Sequence, residues 1–294
     1  MSLGTIGIIS MGEMGAAIGK SLISSGYLVS TVLEGRGIET RKRAQVSNIQ
    51  SFETIEELIE NLDIFMSILP PANAVSLAQK VAQLAKTSNH SFTYLEANAV
   101  SPEKTKQIAK LFKGTQVKFI DGGIIGLPPN AKNKPKLYIS GPACQFLIET
   151  NGIAYDIKEL GPSIGKASGM KMVYASITKG LNALLTASFI AANRLELIDE
   201  LAKELNESQK QLFNRFLKNT PRLPSDAARW APEMIEIAET FNKVDVEDNF
   251  HTAASRIMDL LAKSPFGKET RSNRDMNRTA IETIKGLEKP SHKF

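Results

Sequence analysis

The sequence predicts an α/β protein: a doubly wound, mostly parallel sheet followed by an all-α C-terminal domain. Three observations carry this. An apolar, strand-like run from Leu3 to Ile9 breaks at small residues and passes directly into a helical pattern at Ala16, Ile18, Leu22 and Ile23. Strand-like and helical stretches then alternate as far as Ile157, the pattern of successive βαβ units. Past Gly161-Pro162 the apolar residues recur at helical spacing only.

The first junction, Ser10-Met11-Gly12-Glu13-Met14-Gly15, is a strand–turn–helix of the kind on which a dinucleotide pyrophosphate rests. Amides without an intrahelical acceptor and the positive end of the helix dipole hold the phosphates in such a turn. Gly12 would let the backbone approach the pyrophosphate, and Gly15 would let the helix pack closely on the strand. Ser10 stands where the fingerprint has its first glycine, so φ must stay negative there. Taken alone, the turn also suits any α/β protein.

Leu28 to Leu33 reads as a second strand, ending at Glu34-Gly35-Arg36. Glu34 lies about 20 residues past the last fingerprint glycine, where an acid binds the ribose hydroxyls of NAD. Arg36, Arg41, Lys42 and Arg43 follow, and such cations suit the 2′-phosphate of NADP. NADP is preferred and NAD remains open, because one acid among several cations can turn outward or pair with them. The cluster Arg41 to Arg43 reads equally as an exposed helix face.

A third strand-like run, Asp63 to Ile68, meets Leu69-Pro70-Pro71, and the prolines force a turn at its C-terminal end, where open α/β sheets bind ligands. A helix from Ala74 to Lys86 and a strand from Phe92 to Glu96 follow, then Ala97-Asn98-Ala99-Val100-Ser101-Pro102. Ser101 is a natural N-cap, and Pro102 occupies the first helical position. Val117 to Asp121 is another strand, expected to enter a loop from Gly122 to Pro129. A strand at Leu137 to Ser140, a helix through Phe146 and a strand at Ala154 to Ile157 complete the sheet. The boundary is placed at Pro162, giving residues 1–162 and 163–294.

From Gly165 to Asn193 no proline intervenes and apolar residues fall on nearly every side, which predicts a long helix buried on most faces. Further helices are expected at Leu195 to Leu205, Ser208 to Leu217, Asp226 to Asn242, Val246 to Ala262 and Arg274 to Leu287.

Composition narrows the function classes. The 294 residues are 42% hydrophobic and 23% charged with a net charge of +5, as in an ordinary globular protein. The cations are dispersed among acids, with no aromatic-studded basic stripe to suggest nucleic acid. Cys144 is the only cysteine, which excludes an intrachain disulfide and favours a reducing compartment. The N-terminus lacks a secretory pattern, and the longest apolar helical stretch, Leu181 to Ala192, is too short to span a bilayer. A cytoplasmic protein without metal is expected, its partners a small-molecule substrate and a second copy of the chain.

Lys171 is the candidate catalytic residue. It sits near the start of the long helix, and Tyr174, Thr178 and Asn182 follow at helical spacing, a polar stripe on an apolar helix. A desolvated lysine can exchange a proton with a hydroxyl or carbonyl oxygen. A lysine snorkelling to water beside a helix N-terminus explains the same residue.

The whole chain resembles the β-hydroxyacid dehydrogenase superfamily, which includes 6-phosphogluconate and 3-hydroxyisobutyrate dehydrogenases. It resembles more closely still a poorly characterised phosphogluconate dehydrogenase-like branch of it. The match is carried by Gly12-Glu13-Met14-Gly15, Leu69-Pro70, Asn98 to Pro102, Asp121 to Gly126 and Lys171, in order across both domains. The resemblance implies a Rossmann-type domain and a site between the domains, and the apolar helices suit a homodimer. It implies an NAD(P)-dependent oxidoreductase in which Lys171 is the general acid/base for hydride transfer to or from a small hydroxy or carbonyl substrate. Ser10, Met11, Gly12, Glu13, Met14, Glu34, Arg36, Leu69, Pro70 and Asn98 would then line the cofactor. Gly122, Gly123, Ile124, Tyr174 and Thr178 would face the substrate.

Two departures stand out. Many relatives have a serine where this chain has Ile125, and an asparagine one turn past the lysine where it has Ala175. They favour a substrate more apolar than an ordinary β-hydroxyacid, or one held by Tyr174, Thr178 and Asn182. Two alternatives follow from them: a non-catalytic NADP(H)-binding sensor or scaffold, and an enzyme that reduces an imine.

Overall fold

The computed structural model describes residues 3–271 and 273–287; Met1, Ser2 and the end of the C-terminal domain beyond 287 lie outside the described residues. The chain forms two compact units, one up to Met172 and one from Val173.

The first unit is an eight-stranded sheet: β1 (Thr5–Ile9), β2 (Leu28–Val32), β3 (Gln50–Phe52), β4 (Ile64–Ser67), β5 (Thr93–Glu96), β6 (Lys118–Ile125), β7 (Lys136–Ser140) and β8 (Asp156–Glu159). Spatial order is β3-β2-β1-β4-β5-β6-β7-β8, and every neighbouring pair is parallel except β6 and β7. The order reverses between β1 and β4, so the crevice outside their C-terminal ends is the switch point where such sheets bind ligands.

Helices cover both faces: α1 (Glu13–Ile23), α2 (Ile38–Val46), α3 (Ile55–Ile59), α4 (Ala74–Thr87), α5 (Pro102–Leu111) and α6 (Gln145–Glu149). Alternation along the strands sends Leu95 and Ile120 into a core with Ile6, Ile18 and Leu22. Tyr94 and Phe119 point the other way, with Phe65, Val81 and Ile108. There Tyr94 stacks between Phe65 at 5.2 Å and Phe119 at 5.8 Å.

β6 runs on through Gly122–Ile125, each residue in register with β7, so the loop expected from Gly122 begins only at Gly126. The Ser101 hydroxyl accepts the Lys104 N–H at 3.4 Å and caps α5 as expected.

The helix α7 (Lys166–Arg194) begins in the first unit and ends in the second. The division between the two compact units falls inside this helix, between Met172 and Val173. Its first turn is hydrogen-bonded to β6 and β7, which ties it to the sheet. Val173, Tyr174, Ile177 and Leu184 on α7 are exposed, so the expected burial on most faces does not hold within one chain.

The second unit adds α8 (Ile198–Ser208), α9 (Lys210–Asn219), α10 (Leu223–Asn242), α11 (Asn249–Ala262) and α12 (Ala280–Lys285). Phe189 of α7 stacks on Phe216 of α9 with ring centroids 3.6 Å apart. Glu233 of α10, buried, pairs with Lys179 of α7 and with Arg229 at 2.8 Å. His251 packs edge-on against Phe241 and Phe250, which accounts for it as a core residue. Among the described residues no helix is long and apolar enough to cross a membrane.

Candidate active site

The turn after β1 is built for close approach. A Cβ on Gly15 would lie 2.2 Å from the Ser10 carbonyl oxygen, so only glycine lets α1 meet the strand end this closely. Gly12 differs: a Cβ there would meet nothing within 4 Å, leaving open space over the N-terminus of α1. No side chain caps that end, and the first intrahelical bond is Ala16 N–H to Gly12 O at 3.0 Å. A backbone cradle that a methyl group would fill, at a helix N-terminus on the switch point, fits a dinucleotide phosphate.

Ser10 stays outside the left-handed region, and its N–H donates to Ile68 O at 3.1 Å, tying the turn to the end of β4. Met11 is fully buried, so only its backbone faces the turn, while Glu13 is exposed and Met14 half-buried. At the end of β2, Arg36 N–H closes a turn on Leu33 O, with Gly35 at φ +65°. Glu34 is exposed, Arg36 is half-buried, and Arg41 Nε donates to the Arg36 carbonyl at 3.0 Å.

Asn98 joins two strand ends. Its Oδ1 accepts the Leu69 N–H, and its Nδ2 donates to Ser67 Oγ at 2.7 Å. The side-chain amide is thus engaged within the protein, holding the Leu69-Pro70 turn against the end of β5.

Lys171 is positioned by β6 through two devices. Asp121, fully buried, accepts the N–H groups of Gly165 at 2.8 Å, Ala167 at 3.0 Å and Ser168 at 3.1 Å, and the hydroxyls of Ser140 and Ser168. This is a carboxylate on a helix N-terminus, satisfying its orphan amides and its dipole together. Burial nevertheless pushes the Asp121 carboxyl up from its usual value, against the hydrogen bonds from Ser168, Ser140 and Gly165. Two residues on, a Cβ at Gly123 would lie 2.6 Å from Ala167 O and 3.2 Å from Lys171 Cβ, so the bare backbone lets α7 lie on the strand. Gly122 is equally tight against β5, 2.8 Å from Leu95 Cδ1, and Ile124 packs partly into the core. In this place Lys171, half-buried, donates from Nζ to Ala97 O at 3.4 Å.

Beneath it lies Glu96, in register with Asp121 and fully buried. Its Oε1 accepts the Asn98 N–H at 3.0 Å, and Tyr94 Oη donates to Oε2 at 3.5 Å. Desolvation pushes this carboxyl from 4.5 up to about 8; hydrogen bonds from Asn98 and the charge of Lys171 pull it down, and Asp121 pushes it further up.

Site residues Gly12, Leu69, Asn98, Gly123 and Lys171 therefore meet along the C-terminal edge of the sheet. Tyr174, 46% exposed, and Thr178, bonded to the Tyr174 carbonyl at 3.2 Å, belong to the second unit. Glu96, Ser140 and Ser168 received no site role from the sequence, and Asp121 none beyond its place in a motif. An acid closing an apolar strand just before Gly-Gly is the signal that could have marked Asp121.

Residues 5–148 match the family described as the NAD binding domain of 6-phosphogluconate dehydrogenase, and residues 192–261 match a domain of unknown function, DUF1932. An uncharacterised 28.5 kDa protein of Methanothermus fervidus is 31% identical over 214 residues, covering 73% of this chain and 81% of that protein. The solved structure of MTH1747, a conserved protein of unknown function described as similar to 3-hydroxyacid dehydrogenases, superposes with a TM-score of 0.63. It is 26% identical and covers 88% of this chain and 96% of its own.

The chain belongs to the β-hydroxyacid dehydrogenase-like superfamily. The 3-hydroxyisobutyrate dehydrogenase of Mycobacterium tuberculosis shares this superfamily fold, with a TM-score of 0.67 at 14% identity over 98% of this chain and 99% of that one. Within the superfamily fold, the α1 turn belongs to the NAD-binding domain and Lys171 to the helix that leaves it.

Proposed function

We propose that the protein is an NADP-dependent oxidoreductase that moves a hydride between the nicotinamide and a small hydroxy or carbonyl substrate. The observation that carries this is Lys171 Nζ, held by the Ala97 carbonyl at the same sheet edge as the open turn at Gly12. When bound, the nicotinamide supplies or accepts the hydride. In the oxidising direction, Lys171 as the free amine takes the proton of the substrate hydroxyl at Nζ. In the reducing direction, the ammonium returns a proton to the carbonyl oxygen.

NADP is preferred over NAD because Arg36 is held at the end of β2 with Arg41 bonded to its carbonyl, while Glu34 is exposed and able to turn outward. Ile125 and Ala175 leave fewer polar groups for a carboxylate, which supports a substrate more apolar than an ordinary β-hydroxyacid. Tyr174 and Thr178 are its proposed contacts on α7. The exposed Val173, Ile177 and Leu184 support a homodimer, a second copy covering that apolar stripe.

A screen of hydroxyacids, aldehydes and imines with NADPH tests the proposal, followed by Lys171→Met on any substrate found. Loss of about 10²- to 10⁴-fold in turnover with nucleotide affinity retained is expected. Unchanged turnover would refute the role of Lys171.

A further inference from the structure

One peptide unit lies between the two ionisable groups at the heart of the site. The N–H of the Ala97–Asn98 peptide donates to Glu96 Oε1 at 3.0 Å, and its C=O accepts from Lys171 Nζ at 3.4 Å. A carboxylate at the N–H end and an ammonium at the C=O end both lie along the peptide dipole in the favourable sense. The peptide is also fixed, because the Asn98 side chain is clamped by Ser67 Oγ and the Leu69 N–H. Glu96, Ala97 and Asn98 are buried, and in such a setting hydrogen-bonded groups polarise one another.

We propose that Glu96 is a positioning residue that sets the protonation of Lys171 through the Ala97–Asn98 peptide, so that the two groups titrate as a coupled pair. The consequence for catalysis rests on the reading of Lys171 as the acid/base group. The groups facing Glu96 are few. Tyr94 lies on its own strand, Asp121 on β6 and Lys171 on α7, while β4 brings the uncharged Ser67. Asp121 is engaged by the amides of Gly165, Ala167 and Ser168, whereas Glu96 and Lys171 bond to the two ends of one peptide unit. An ionised Glu96 holds Lys171 as ammonium, the form that gives a proton; a protonated Glu96 releases that hold. Burial pushes the Glu96 carboxyl up to about 8, so this exchange centres near that pH.

The test needs neither nucleotide nor substrate. Trace acetylation of the full chain with acetic anhydride, read at the Lys171 peptide by mass spectrometry across pH, reports the free-amine fraction. Glu96→Gln keeps an oxygen for the Asn98 N–H and removes the charge. Its Lys171 labelling curve is expected to move to lower pH by about one unit, the low end of what an opposite charge does. An unmoved curve in the folded variant overturns the coupling.

Linkage supplies the reciprocal experiment, should Glu96→Gln fail to fold. In Lys171→Met, the infrared band of the protonated buried carboxyl must persist to higher pH than in the wild type, and an unchanged band overturns the proposal as surely. A fruitless substrate search would leave these curves untouched. An unmoved labelling curve would likewise leave the oxidoreductase reading standing.

Discussion

Ser168 gives both its backbone N–H and its hydroxyl to the Asp121 carboxylate, one turn ahead of Lys171 on the same helix. The catalytic candidate is therefore placed by a charge on the sheet and not only by packing. Asp121→Asn keeps the shape but loses the charge and turns an N–H₂ toward donors. A loss of about 1–3 kcal/mol in urea-denaturation stability is expected. A loss below about 0.5 kcal/mol, the scatter of ordinary surface changes, would show that the cap does not hold the helix.

The two glycines of the α1 turn separate folding from binding. Gly15→Ala drives a methyl into the Ser10 carbonyl and should cost about 1–3 kcal/mol of stability. Gly12→Ala meets nothing in the protein and has φ −70°, so its stability should stay within about 0.5 kcal/mol of wild type. Its methyl fills the space over the helix N-terminus, and nucleotide affinity should fall. Thermal melts with and without NADPH read both effects.

Glu96 gives the fold a pH dependence of definite sign. The folded carboxyl binds its proton more tightly than the unfolded one, its value raised from 4.5 to about 8. Its contribution to stability is fully present below about 4.5 and is lost as pH rises to about 8. Asp121 is shifted in the same direction. Urea titrations across that window should show stability falling for the wild type and a shallower fall for Glu96→Gln. Equal slopes would contradict the assignment.

Arg36→Ala tests nucleotide preference. Loss of one charge-assisted contact to a 2′-phosphate should weaken NADPH about tenfold, close to 1.4 kcal/mol, and leave NADH unchanged. Equal effects on both nucleotides would remove the basis for preferring NADP.

Much of the sheet was legible because its strands are apolar runs separated by helices with period 3.6. The turn at Gly12 and Gly15 could be read the same way, from strand, small residues and helix in immediate succession. What escaped was non-local or locally ambiguous. Gly122-Gly123 with Gly126 and two prolines beyond reads as a loop, yet the glycines serve a strand that must let α7 lie on it. Between Ile38 and Phe52 only an exposed helix face at Arg41 to Arg43 was readable, because α2 is polar and cationic without an apolar face and β3 is a three-residue edge strand. The capping of α7 by Asp121 joins groups 44 to 47 residues apart, beyond any local pattern.

The central claim is that the turn from Ser10 to Gly15 binds a nicotinamide dinucleotide in a working enzyme. Calorimetric titration of nucleotide-free protein with NADPH and then NADH tests it most directly. One saturable site per chain, with NADPH bound about tenfold or more tightly than NADH, is the predicted result. Binding of neither by the folded protein would contradict the account, for the hydride transfer that Lys171 is proposed to assist by moving a proton would then have no donor or acceptor.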